Sequence, residues 1–158
     1  MTTTNNAVLV DTDVFSYLLN SEDKRAEVYK KHVHNKTVAI SFVTVGEVLY
    51  GARKRKWGKK RIAALNARLK SVVIIPYDMD VCRVYAELKD QAKTSTGSDR
   101  VIGANDLWVA ACARRHGLPL VSNNRRHFEA LPGVDLRSEA PAVSKLQAQQ
   151  ELPLTDDK

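Results

Sequence analysis

Cysteine is almost missing from this chain. Only Cys82 and Cys112 occur in 158 residues, which excludes a disulfide-rich framework. Neither stands at a zinc-type spacing with any of the four histidines, His32, His34, His116 and His127, all four of which read as ordinary surface residues. Long apolar runs are absent too. None approaches the ~20 residues of a membrane span, and the leading MTTTNN is no signal peptide, so a soluble cytoplasmic protein with reduced, buried thiols is expected. Neither GxxxxGK[ST] nor GxGxxG occurs, which leaves nucleotide cofactors unsupported.

Positive charge is what the chain has in excess. Twenty-five Lys and Arg against 18 Asp and Glu give a net charge of +7 and a pI near 9.5. Such a balance attracts polyanions, of which nucleic acid is the commonest in a cytoplasm, although solubility alone is also served by it. The charge is densest in RKRKWGKKR, residues 53–61, where Arg53, Lys54, Arg55 and Lys56 precede Trp57. Those charges suit phosphate contacts, while Trp57 fits a core or an oligomer interface better than a base-stacking role. Arg125 and Arg126 form a smaller cluster just past a strand.

Apolar strand runs alternate with helical periods. Residues 8–10, 37–41, 72–75, 118–122 and 134–137 read as strands, the last the weakest. Helices are predicted over 14–19, 21–34 with Ser21 as N-cap, 44–54, 61–70, 78–92, and 105–116 with Asn105 as cap and Gly117 as stop. Residues 93–103 read as a loop. The pattern predicts one α/β domain over 1–137, with a mainly parallel sheet of four or five strands flanked by helices. The polar, Gln-rich residues 138–158 read as a mobile or partner-binding extension.

Ligands of open α/β sheets sit outside the carboxyl ends of the strands. The first strand ends in Asp11 and Asp13, the second runs into a helix carrying Glu47, the helix before the fourth strand opens on Asn105-Asp106, and that strand exits into Ser122-Asn123-Asn124. Acids crowded on one edge repel, and a divalent cation resolves the conflict; Mg²⁺, with Mn²⁺ as substitute, suits a few carboxylates plus waters. Such an ion polarises a phosphoryl oxygen and lowers the pKa of water, the chemistry of nucleic-acid backbone cleavage. Each acid also has a structural reading. Asp11 and Asp13 can cap the next helix, Thr44 and Glu47 form a capping box, and Asp106 suits a helix N-terminus. Ser41 and Ser122 lack a His–Asp pair, which argues against a serine nucleophile.

The segments VLVDTDVFSYLL, AISFVTVGEVLYGA, GANDLWVAACARRHGLPLVSNN and NNRRHFEALPGVDL, spread over most of residues 8–137, resemble the PIN-domain ribonuclease toxins of the VapC type. The resemblance implies a PIN fold, Mg²⁺-dependent endonucleolytic cleavage of RNA, a cognate antitoxin that neutralises the enzyme, and a homodimer. It assigns metal binding to Asp11, Glu47 and Asp106, with Asp13 and Thr44 in support. The fourth acidic position of such domains is Asn124 here, which can orient water but brings no charge to a second ion. Two other readings stand beside it. VLVDTDV also resembles the first motif of haloacid-dehalogenase-type phosphatases, with Asp11 as nucleophile and Asp13 as acid/base, but only Asp156-Asp157 is left to complete that set. A non-catalytic RNA-binding module of the same fold is the other.

Overall fold

Three apolar residues, Val8, Leu9 and Val10, are too few to bury anything alone, yet all three are sealed from solvent. They are sealed because their strand is central and is covered on both faces. In the computed structural model, which describes residues 6–95 and 102–141, the order is β1 (Ala7–Val10), α1 (Thr12–Leu19), α2 (Lys24–Val33), β2 (Thr37–Ser41), α3 (Phe42–Lys54) and α4 (Lys59–Lys70). It continues with β3 (Val73–Ile75), α5 (Met79–Ser95), α6 (Ala104–His116), β4 (Leu120–Val121), α7 (Arg125–Phe128) and β5 (Leu136–Arg137). The five strands pair in the order β3-β2-β1-β4-β5, every pair parallel.

Alternation along the strands divides the core in two. Leu9, Ala39 and Leu120 face α5 and α6 and join Val81, Leu88, Leu107 and Phe128. Val8, Val10, Ile40 and Val121 face the other way, onto Val14, Phe15, Tyr29, Val48 and Leu65 of α1–α4. Each fully buried side chain of this size contributes about 1.5–3 kcal/mol relative to leaving it exposed. The second core also receives the half-buried Trp57, over whose ring the Arg61 guanidinium lies at 4.7 Å. On the opposite face Tyr85 stacks on Trp108 with centroids 3.9 Å apart. Cys112 is buried, which pushes its thiol up to about 12, and Cys82 is half-buried; both are free.

Several helix starts differ from the sequence expectation, each for a local reason. The Asp23 carboxylate, not Ser21, caps α2 by accepting from the Arg25 N–H. Ser41 caps α3, accepting from the Thr44 N–H, so Thr44 and Glu47 form no capping box and the Glu47 carboxylate is left for another partner. Helix α6 is capped two residues earlier than expected, by Gly103 rather than Asn105, without a side-chain cap bond. The single turn α7 has no counterpart in the sequence expectation. Of the C-terminal extension, residues 138–141 are described. Glu139 pairs with Lys31 and His32, and its N–H donates to the Tyr29 hydroxyl. Residues 142–158, Asp156-Asp157 included, lie outside the described residues, as does most of the 93–103 loop expectation. Among the described residues no helix is long and apolar enough to cross a membrane.

Gly117 ends α6 in the left-handed region, φ +62°, where a Cβ would touch nothing. Gly117→Ala therefore isolates backbone strain. It is expected to lower the unfolding free energy by about 1–2 kcal/mol, measured as a reduced urea midpoint with an unchanged slope.

Candidate active site

Strands β1, β2 and β3 step outward in one direction, and β4 then returns to the far side of β1. That reversal opens a crevice at the carboxyl ends of β1 and β4, the switch point where α/β sheets bind ligands. A cleft of about 370 Å³ lies there, lined by Asp11, Thr12, Asp13, Glu47, Asp106, Asn123 and Asn124. The fold thus brings together all four acids singled out in the sequence, from β1, α1, α3 and α6, along with Asn124. None of the lining residues is basic. Arg53, Lys54, Arg55 and Lys56 lie elsewhere, at the end of α3 and in the turn after it, and all are exposed. Of the later pair, Arg126 is exposed, and Arg125 donates from Nη2 to the Ser138 carbonyl while its buried Nε has no partner among the described residues.

Asp11 is the innermost acid, 5% exposed at the end of β1. It is also the N-cap of α1: Oδ1 accepts from the Thr12 N–H at 2.8 Å, and Oδ2 accepts from the Ser122 hydroxyl at 2.7 Å. Burial first, then the neighbouring Asp13 and Asp106 charges, push its carboxyl up to about 7, against the pull of those two hydrogen bonds. Asp13 is raised as well, again chiefly by burial. Its Oδ2 accepts from the Asn123 N–H at 3.1 Å, which ties the first turn of α1 to the exit of β4.

Glu47 and Asp106 are held by separate partners. Oε1 of Glu47 accepts from the Thr12 hydroxyl at 2.9 Å, and that hydroxyl lies 3.0 Å from the buried Thr44 hydroxyl. Thr44 thereby links the start of α3 to α1. Oδ2 of Asp106 lies 2.5 Å from Nδ1 of His127, and Asn124 Nδ2 is 2.6 Å from the same nitrogen. Among the described residues no three acidic, histidine or cysteine groups already enclose a point where a cation would sit. The donor set fits a hard divalent ion in kind: oxygen ligands only, several of them charged, beside a carboxyl whose burial resists ionisation until a cation arrives.

Four residues of this network carry no role in the sequence reading. Ser122 and Asn123 are visible at a strand exit, and Thr12 between two acids, but their partners come from distant segments. His127, expected to be an ordinary surface residue, instead contacts Asp106. The one available signal is its position three residues after Asn124, which a single helical turn converts into a shared face.

Comparison with known proteins agrees with the geometry. A PIN-domain family model matches residues 8–134. The VapC ribonuclease Y4jK of Sinorhizobium fredii is 34% identical over 137 residues, 82% of this chain and 94% of that protein. Ribonuclease VapC2 of Haemophilus influenzae is 30% identical over 132 residues, 83% and 95% of the two chains. The structure of VapBC2 from Rickettsia felis, bound to a DNA fragment from its promoter, superimposes with a TM-score of 0.69 at 27% identity, over 84% of this chain and 98% of that one. With a family model over residues 8–134 and relatives at 30% identity or more over most of both chains, the chain belongs to the PIN-domain family and to its VapC branch.

Proposed function

We propose that this chain is an Mg²⁺-dependent endoribonuclease, the toxin of a toxin–antitoxin pair acting in the cytoplasm. The observation that carries the reading is the cleft at the β1/β4 switch point, lined by four acids and no basic residue, in a strongly basic protein. Asp11, Asp106 and Glu47 would hold the ion, Mn²⁺ serving as substitute. Bound there, it would supply charge to a phosphoryl oxygen and lower the pKa of a nearby water. The protein's own contributions are positional and proton-handling. Asp13 braces the turn that presents Asp11, and Thr44 ties the start of α3, which carries Glu47, to Thr12. The Glu47 oxygen not engaged by Thr12 is free to accept the proton of an attacking water. Asn124, uncharged, can orient that water but cannot act as a base.

RNA, a polyanion, is drawn to the surface by the basic segments outside the cleft. Replacing Arg53, Lys54, Arg55 and Lys56 together by Ala is expected to weaken RNA binding at low salt. The slope of log affinity against log salt should flatten by about 0.7 for each phosphate that these side chains no longer neutralise. An unchanged slope would place the RNA elsewhere.

The likeness to VapBC complexes supports a cognate antitoxin. A second depression, about 670 Å³, lies between α1, α3 and α4, with Tyr17, Leu18, Trp57 and Leu65 on its walls and Arg55, Arg61 and Arg68 at its rim. Apolar walls with a cationic rim suit an amphipathic, acidic segment of such a partner. A homodimer is the natural cover for the exposed apolar residues of the edge strand and its exit, Val73, Ile74, Tyr77 and Met79.

The products of a purified preparation test the reaction class. Internal cuts in a long single-stranded RNA are the expected result. Release of inorganic phosphate from small phosphomonoesters, with the RNA left whole, would contradict it.

A further inference from the structure

We infer that His127 is the positioning residue for Asp106, holding its carboxylate through an Nδ1–H hydrogen bond so that the other oxygen is aimed at the cation. The inference rests on the metal-nuclease reading above and deepens it. Three observations carry it. The Nδ1–Oδ2 separation is 2.5 Å, with the two side chains 38% and 23% exposed, so the contact sits at the cleft wall rather than in open solvent. The ring is also held from behind. Phe128, the next residue, is fully buried in the core beneath α6, and the His127 N–H donates to the Asn124 carbonyl at 3.1 Å, so α7 turns the imidazole toward Asp106. Finally, Asp106 has no other hydrogen-bond partner among the described residues, and Gly103, which caps its helix, offers no side chain.

The chemistry fixes the direction of the bond. An ionised carboxylate can only accept, so Nδ1 carries the proton and Nε2 is left facing away. The Asn124 amide also reaches this nitrogen, with Nδ2 2.6 Å away; once the Nδ1 proton is given to Asp106, the amide would turn its oxygen to the ring to share that N–H. Asn124 and His127 thus form one support behind Asp106, the arrangement by which hydrogen-bonded neighbours orient a metal-ligating carboxylate.

The test is Mn²⁺ affinity of the full chain, read by isothermal titration, for wild type and His127→Asn, His127→Gln and His127→Ala, each with its metal-free melting temperature. Asn places an N–H where Nδ1 stands, and Gln places one where Nε2 stands. Wild type and His127→Asn are expected to agree within about threefold. His127→Gln and His127→Ala are expected to bind roughly 10- to 100-fold more weakly, at unchanged melting temperature. Full affinity in His127→Ala would overturn the inference while leaving the metal reading intact. Retention by Gln with loss by Asn would overturn it in favour of His127 as a direct Nε2 ligand. Absence of Mn²⁺ binding by wild type would overturn the metal reading and this inference with it.

Discussion

Asp106→Asn is expected to lower RNA cleavage about a thousandfold while the protein stays folded. The side chain is half-buried at the start of α6, and its replacement is nearly isosteric, so packing is untouched. What changes is charge. Removing one carboxylate from an oxygen-only site weakens the hold on the ion, whose stabilisation of transition-state charge is worth several kcal/mol, and each ~1.4 kcal/mol is tenfold in rate. Asp11→Asn is expected to lose as much activity, with a different effect on the fold. Its amide keeps the oxygen that caps α1 and can donate to the Ser122 hydroxyl, while shedding a buried charge. Cleavage assays paired with thermal unfolding separate the two effects. Retained activity in both variants would remove these acids from the chemistry.

The second large effect is the pH dependence of stability in the metal-free protein. Asp11 titrates at about 7 in the fold against an ordinary 3.8. Below about pH 4 the carboxyl is protonated in both states and imposes no penalty. Between about 4 and 7 the folded state keeps a proton that the unfolded chain has released, so stability falls as pH rises. At about 1.4 kcal/mol for each pKa unit, the penalty approaches roughly 4 kcal/mol by pH 8. Asp13, raised in the same direction, adds to the trend. Metal-free Asp11→Asn should therefore be more stable than wild type at pH 8, the gap closing toward pH 4. Millimolar Mg²⁺ or Mn²⁺ should narrow the gap at pH 8 by stabilising wild type, since an ion that binds only the folded state adds RT ln(1 + [L]/Kd). Denaturant titrations across pH measure this directly; a gap that is flat from pH 4 to 8 would mean Asp11 carries no buried-charge penalty.

The main acids are legible in the sequence because parallel strands share one carboxyl edge. Once residues 8–10 and 37–41 are strands, Asp11 and Glu47 are committed to the same side, and Asp106 follows from the helix that feeds the next strand. The layered architecture follows from the same alternation. What stays hidden depends on contacts between segments far apart in sequence. Ser122 meets Asp11 across 111 positions, and Thr12 meets Glu47 across 35, so neither partnership leaves a local pattern. His127 reads as one more solvated side chain because α7 is only four residues long, too short to show a helical period, and its orientation comes from burial of Phe128. Helix caps are misplaced by two or three residues where two capping types stand close together, as Ser21 and Asp23 or Ser41 and Thr44 do.

The most direct measurement is cleavage of an end-labelled RNA by the purified chain after exhaustive EDTA treatment, followed by stepwise return of Mg²⁺ or Mn²⁺. An acid-lined cleft that works through a bound ion predicts no cutting without that ion, recovery of discrete internal cuts as it is restored, and no recovery in Asp11→Asn or Asp106→Asn at the same concentrations. Full cleavage in EDTA, or equal recovery in wild type and both variants, would contradict it.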